Sequence, residues 1–153
     1  MLTTRDARPE DLPAVARAVA AQPLMARYGN SAEALERTFT SALARGEDFL
    51  VAQAGEALTG MAWFLRSGTF ALGGYLRLIA VYPGCEGQGI GAALLDEVER
   101  RTAAASRHLF LLVSHHNDGA RRFYARRGYV EAGALPALVR PDIDEVILWK
   151  RLR

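Results

Sequence analysis

The residues best placed to do chemistry stand in one short segment, Gly84-Cys85-Glu86-Gly87-Gln88-Gly89-Ile90-Gly91-Ala92. Glycines 87, 89 and 91 carry no Cβ atoms, so this backbone can aim its N–H groups at one point and let a ligand come close. The apolar run ending Ile79-Ala80-Val81 predicts a buried strand before the loop. The spacing of Ile90, Leu94 and Val98 predicts a helix directly after it. The first turn of that helix adds unpaired N–H groups and the positive end of its dipole. Strand, glycine loop and helix N-terminus together make an anion site suited to phosphate or pyrophosphate.

Known phosphate loops differ in the residues after the glycines. A P-loop requires Gly-Lys-Ser/Thr where the helix starts, and this chain has Gly91-Ala92-Ala93, with no lysine. A dinucleotide fingerprint fits Gly87-Gln88-Gly89-Ile90-Gly91-Ala92 superficially. Yet the next strand ends Val113-Ser114-His115-His116, without the acid that would hold a ribose. A glycine-rich strand–helix turn with no ligand is the plainer alternative.

Other reactive side chains are few. His115 and His116 follow a predicted strand and titrate near neutrality, so either could accept a proton. Loop histidines with no catalytic part, and deprotonation through ordered water, are the readings weighed above it. Asp142, Asp144 and Glu145 could draw in a cationic group. Arg121, Arg122, Arg126 and Arg127 crowd one segment, and Lys150, Arg151 and Arg153 another. Such clusters read as solvated faces or as a site for an anionic ligand. Cys85 has no histidine beside it, and no His/Cys cluster has metal-ligand spacing, so no metal is expected.

The chain that must position these residues has 153 residues, half of them hydrophobic and about a quarter charged. That is the composition of one globular domain, 1–153. With 19 basic against 17 acidic residues the net charge is +2, too near balance to imply nucleic-acid binding. A single cysteine allows no internal disulfide and agrees with a reducing compartment. The first residues lack a secretory apolar region, and no apolar run is long enough to span a membrane. A cytoplasmic protein is expected, and a homodimer is left open.

Periodicity then orders the elements. Leu2 to Arg5 reads as a strand. Pro9-Glu10-Asp11-Leu12-Pro13 opens a helix with Leu12, Val15, Ala16 and Val19 on one face. A second helix begins near Asn30-Ser31, with Glu33 answering Asn30, and stops at Gly46. Strands follow at Phe49–Gln53, Leu58–Leu65 (ended by Arg66-Ser67-Gly68) and Tyr75–Val81. A long helix runs from Gly89 to about Ala105. Leu109–Val113 reads as a strand buried on both faces. A short helix covers Asp118 to Arg127, and strands at Tyr129–Ala132 and Ile143–Lys150 close the chain. The fold class is α/β in the mixed, α+β sense: a central, mostly antiparallel sheet of six or seven strands flanked by about four helices.

Two segments in this order resemble the signatures of the GNAT superfamily of N-acetyltransferases. One is Ile79-Ala80-Val81 followed by the glycine loop. The other is Asn117-Asp118-Gly119-Ala120-Arg121-Arg122-Phe123-Tyr124-Ala125-Arg126-Arg127-Gly128-Tyr129, similar to the family's Asn-x-x-Ala-x-x-Phe-Tyr-x-x-x-Gly-Phe/Tyr. The resemblance implies acetyl-CoA as co-substrate and direct transfer of its acetyl group to a primary amine, through a tetrahedral intermediate. It implies that Ile79, Ala80 and Val81 meet the pantetheine by backbone bonds, and that Gly87, Gln88, Gly89, Ile90, Gly91 and Ala92 hold the pyrophosphate in a cofactor loop that Glu86 opens. Asn117 would bond the pantetheine or cap the short helix. Phe123 would pack under the cofactor, and Tyr124 would protonate the departing thiolate. Glu86 departs from the family, which usually has Arg or Gln there, and its charge is expected to oppose a pyrophosphate. The resemblance also admits a non-catalytic acyl-CoA sensor, or an acetyltransferase acting on charged tRNA.

Overall fold

Seven strands form one mixed sheet in the order β1-β2-β3-β4-β5-β7-β6. In chain order the elements are β1 (Leu2–Asp6), a 3-10 turn (Pro9–Asp11), α1 (Leu12–Ala20), α2 (Pro23–Ala26), α3 (Ala32–Ala44), β2 (Asp48–Ala54), β3 (Ala57–Thr69) and β4 (Gly73–Val81). There follow α4 (Ile90–Ala103), β5 (His108–Ser114), α5 (Asp118–Arg126), β6 (Val130–Arg140) and β7 (Ile143–Arg151). The computed structural model describes all residues, 1–153. The expected mixed α/β architecture is what the chain adopts. By contact density it divides into two units, 1–64 with 78–98, and 65–77 with 99–153.

In the first unit the helical periodicity of α1 buries Leu12, Val15, Ala16 and Val19 completely. They join α3 and the inner faces of β2 and β3 in one apolar core. Phe39 meets Phe49 and Trp63 edge-on, while Phe49 and Trp63 stack with centroids 5.3 Å apart. The Trp63 indole N–H is satisfied by Glu47 at 3.0 Å, as a buried donor requires. The cap of α3 is Ser31, whose Oγ accepts the Ala34 N–H at 3.1 Å. Asn30 and Glu33 therefore do not form the expected capping pair; the extended backbone belongs to Ser31, and only its hydroxyl is one turn from an unpaired amide. Gly60 governs how the long helix packs. A Cβ there would lie 2.8 Å from the Ala80 carbonyl and 2.9 Å from Ile90, so its bareness lets the start of α4 lie against β3.

In the second unit β5 pairs antiparallel with β7 along its whole length, and β7 pairs with β6. β4 runs parallel to β5 for four pairs, from Gly73↔His108 to Leu76↔Leu111. Alternation assigns the faces. Leu109, Leu111, Val113, Val146 and Leu148 lie on one face and are buried. On that face Glu99 of α4 binds Lys150 at 3.0 Å and accepts the Tyr129 hydroxyl at 2.9 Å. Phe110, Leu112, Ile147 and Trp149 lie on the other face and are only half-buried. β5 is thus covered fully on one face, not on both as its apolar run suggested.

Two boundaries also differ from expectation. β3 passes through Arg66-Ser67-Gly68 and ends at Thr69, helped by the Ser106 hydroxyl donating to the Arg66 carbonyl at 2.7 Å. The reversal falls instead on Phe70 and Ala71, both with positive φ (52° and 58°). β6 extends to Arg140 rather than stopping at Ala132, because two register shifts keep it paired with β7.

Candidate active site

The glycine loop belongs to the first unit and has the conformation its sequence demands. Gly84, Gly87 and Gly89 take φ of 86°, 76° and 77°, the left-handed region that side chains resist. A Cβ at Gly87 or Gly89 would touch nothing, so glycine is needed there for backbone angle and not for space. The first backbone bond of α4 runs from the Ala93 N–H to the Gly89 carbonyl. Amides ahead of Ala93 therefore have no acceptor within the helix and face outward as donors. Ile90 is buried and anchors this end, while Gly87, Gln88 and Gly89 are exposed. Gly91 and Ala92, already helical, are half-buried. An exposed glycine loop leading into the positive end of a 14-residue helix suits an anion such as pyrophosphate.

The strand that feeds the loop is held at its C-terminal end by two hydrogen bonds. Ala80 is buried and Ile79 and Val81 are half-buried. The Tyr82 N–H donates to the Thr59 carbonyl at 2.9 Å. Gln22, just ahead of α2, donates its side-chain amide to the Val81 carbonyl at 2.7 Å. This contact was not visible in the sequence, since an isolated glutamine in a loop carries no pattern. Glu86 turns inward on its own loop, its carboxylate accepting the Gly84 N–H at 2.8 Å.

The second unit holds the other sequence candidates. Asn117 is the N-cap of α5, its Oδ1 accepting the Ala120 N–H at 3.2 Å. Tyr124 is 4% exposed and packs edge-on against Phe123 and Tyr129, centroids 5.1 and 5.3 Å away. Burial alone raises its phenol above the ordinary value; no hydrogen bond or charge contributes. Phe123 is half-buried, with the Arg127 guanidinium 5.9 Å from its ring centroid.

The two histidines touch each other, ring centroids 4.7 Å apart. His115 is occupied: its Nδ1 lies 3.1 Å from the Asp144 amide and 3.2 Å from the Asp144 carbonyl. Which of the two the ring bonds depends on its tautomer. His116 differs. Its Nε2 is buried and has no hydrogen-bond partner. Arg121 makes a two-pronged pair with Glu131 at 2.8 and 2.9 Å and also binds the His115 carbonyl. Arg122 and Arg126 do not join that pair. Of the three C-terminal acids, Asp142 faces Arg140 at 3.8 Å and Asp144 accepts the Ala137 N–H. Glu145 alone is buried, at 6% exposure. No three His, Cys, Asp or Glu side chains gather as a metal ion would need, and no helix is long and apolar enough to cross a membrane.

Residues 15–136 match the family model of the acetyltransferase (GNAT) domain. The chain belongs to the GNAT family. Eighty of its residues are 35% identical to an uncharacterized N-acetyltransferase of Methanocaldococcus jannaschii, a match that spans about half the length of each chain (51% of both). A solved GNAT-family structure from Desulfovibrio desulfuricans superposes over 100% of both chains with TM-score 0.82 and 25% identity. An N-acetyltransferase from Staphylococcus aureus Mu50 gives TM-score 0.78 at 18% identity, covering 100% of this chain and 99% of that one. The Salmonella typhimurium protein yncA, solved with its cofactor acetyl-CoA, gives 0.74 at 16%, covering 99% and 94%. At such identities the last two show a shared fold. In this GNAT chain the glycine loop leads into α4, and the Asn117–Tyr129 segment forms α5 with its cap and the turn after it.

Proposed function

We propose that the chain is an acetyl-CoA-dependent N-acetyltransferase acting on a primary amine by direct transfer, with residues 1–153 working as one cytoplasmic domain. The observation that carries this reading is the loop whose left-handed Gly87 and Gly89 lead into the N-terminus of α4. Acetyl-CoA would supply an acetyl group activated as a thioester. In this reading the amides of residues 87 to 92 bind the pyrophosphate, and the backbone of Ile79, Ala80 and Val81 orients the pantetheine. Asn117 holds the start of α5 and, through it, Tyr124.

Tyr124 keeps its proton at Oη throughout the working pH range, because burial disfavours the phenolate. A thiolate leaving in the same low-dielectric surroundings is disfavoured for the same reason, so phenol and thiol are displaced in one direction. The proton can then pass from oxygen to sulfur. His115 and His116 are the candidate proton acceptors for the amine.

The test is direct. Saturating acetyl-CoA should raise the melting temperature, since a ligand bound only by the native state stabilises it. Primary amines should then release free thiol from acetyl-CoA. An unmoved melting temperature would overturn the proposal, and NAD serves as the control expected to do nothing.

A further inference from the structure

Gln22 sits where α1 gives way to α2, and its backbone is fixed there on both sides. Its N–H donates at 3.0 Å to the carbonyl of Val19, a fully buried residue. Its own carbonyl accepts the Met25 N–H at 3.0 Å. Pro23 keeps the residue before it extended, with ψ of 130°. From this fixed point the half-buried side chain crosses to β4 and donates to the Val81 carbonyl at 2.7 Å. All of these residues belong to the first unit.

The direction of that carbonyl follows from one peptide plane. The Val81 C=O and the Tyr82 N–H belong to the same trans peptide, so they point in opposite directions. The Tyr82 N–H donates to the Thr59 carbonyl of β3 at 2.9 Å. The Val81 carbonyl therefore faces away from β3, on the other edge of its strand. The pairs of β4 with β5 end at Leu76↔Leu111, so no ladder bond reaches Val81 on that edge. A strand neighbour would offer Val81 a backbone N–H there. The Gln22 amide stands in its place.

We propose that Gln22 is a placeholder for the cofactor: its side-chain amide fills the place on Val81 that a pantetheine amide takes, and the two compete for one carbonyl. The proposal rests on the acetyltransferase reading above, in which the Val81 backbone meets the pantetheine. The chemistry of the two donors is the same. Gln22 and pantetheine each offer an uncharged amide N–H, so the carbonyl gains no stronger bond by the exchange, while the bond to Gln22 is lost. Cofactor binding is weaker by about one net hydrogen bond. The Gln22 side chain is untied from β4 only while the cofactor is in place. Coenzyme A carries the same arm, so the spent cofactor is held more loosely as well.

Gln22→Met keeps the length of the side chain and removes its donor. The variant should bind acetyl-CoA about three- to ten-fold more tightly, the reach of one net hydrogen bond. ADP, which has the pyrophosphate and no pantetheine, should bind both proteins equally. Without ligand the variant should melt about 2–4 °C lower, having lost an internal bond. At saturating acetyl-CoA the two melting temperatures should converge, since that bond is broken in both. A glutamine that only tied α2 to the sheet would leave the variant lower in both states. NMR of the wild-type reads the bond itself, whatever the stability of the variant. Acetyl-CoA should move the Gln22 side-chain amide signal to the position of a free glutamine, and ADP should not. A carbonyl oxygen can accept two bonds. A Gln22 signal unmoved by bound acetyl-CoA would show the cofactor using the second one, and would overturn the inference. So would a variant that binds acetyl-CoA no more tightly, or a gain shared by ADP. Those results leave the transferase reading standing; acetyl-CoA bound by neither protein would sink that reading and the inference with it.

Discussion

The Glu86 carboxylate accepts the Gly84 N–H at 2.8 Å, so the one acid in the glycine loop is tied to the loop's own first turn. This contact gives the residue two opposing effects. It braces the left-handed Gly84 turn, and it holds a negative charge three residues from the Gly89 amide that leads into α4.

Glu86→Gln separates these effects, because the amide oxygen can still accept from Gly84 while the charge is gone. Acetyl-CoA should bind the variant about three-fold more tightly at low salt, with most of that gain lost at high salt. Calorimetry at two ionic strengths reads it. Equal affinities at both would mean that the Glu86 charge is not felt at the phosphate site.

Tyr124→Phe should lower turnover by about ten-fold or more, the lower range for losing a general acid. Affinity for acetyl-CoA should be unchanged. The structure adds a condition: burial alone shifts this phenol, with no hydrogen bond to the protein. Removing the hydroxyl therefore breaks no internal bond, and the packing against Phe123 and Tyr129 is kept. The melting temperature should not fall. A slower enzyme that is also destabilised would point to a packing role instead.

Much of this was legible in the sequence, for identifiable reasons. The helix faces and the glycine loop come from local rules, since positive φ at Gly87 and Gly89 depends on those residues alone. What escaped depended on partners distant in sequence. Phe70 and Ala71 adopt positive φ that no turn rule assigns to them. The all-exposed β6 is a strand because β7 pairs with it, although Pro136 lies within it. Ser114 and Glu145 looked like a strand end and one acid among three. Only the β5–β7 register makes them neighbours.

Gly60→Ala should destabilise the first unit by about 1–3 kcal/mol, the usual penalty for overpacking. The new methyl would lie 2.8 Å from the Ala80 carbonyl and 2.9 Å from the Ile90 side chain, and backbone cannot give way as a flexible side chain would. Because Ile90 anchors the start of α4, acetyl-CoA affinity should fall together with the melting temperature. Gly68→Ala, where the added Cβ meets nothing, tests the separation: it should strain the backbone at φ 106° without touching cofactor affinity.

Three buried tyrosines, Tyr82, Tyr124 and Tyr129, make stability sensitive to alkali. Burial is the largest cause in each, and it raises every phenol above its ordinary value of about 10. The sign comes from linkage. Below pH ~10 the phenols are protonated in both the folded and the unfolded chain, and their contribution is fully present. Above it the unfolded chain ionises first, binds fewer protons than the native state, and stability falls as pH rises. Each such group removes about 1.4 kcal/mol per pH unit once the unfolded phenol is ionised. Melting temperatures measured from pH 8 to 11 should therefore be flat at first and then drop steeply. Tyr82→Phe isolates one of the three. Its hydroxyl is buried with no hydrogen-bond partner, so the variant should be more stable at pH 8, by about 1 kcal/mol, and its decline above pH 10 should be shallower. A Tyr82→Phe variant less stable than the wild-type at pH 8, with an unchanged alkaline slope, would show that this hydroxyl is satisfied in solution.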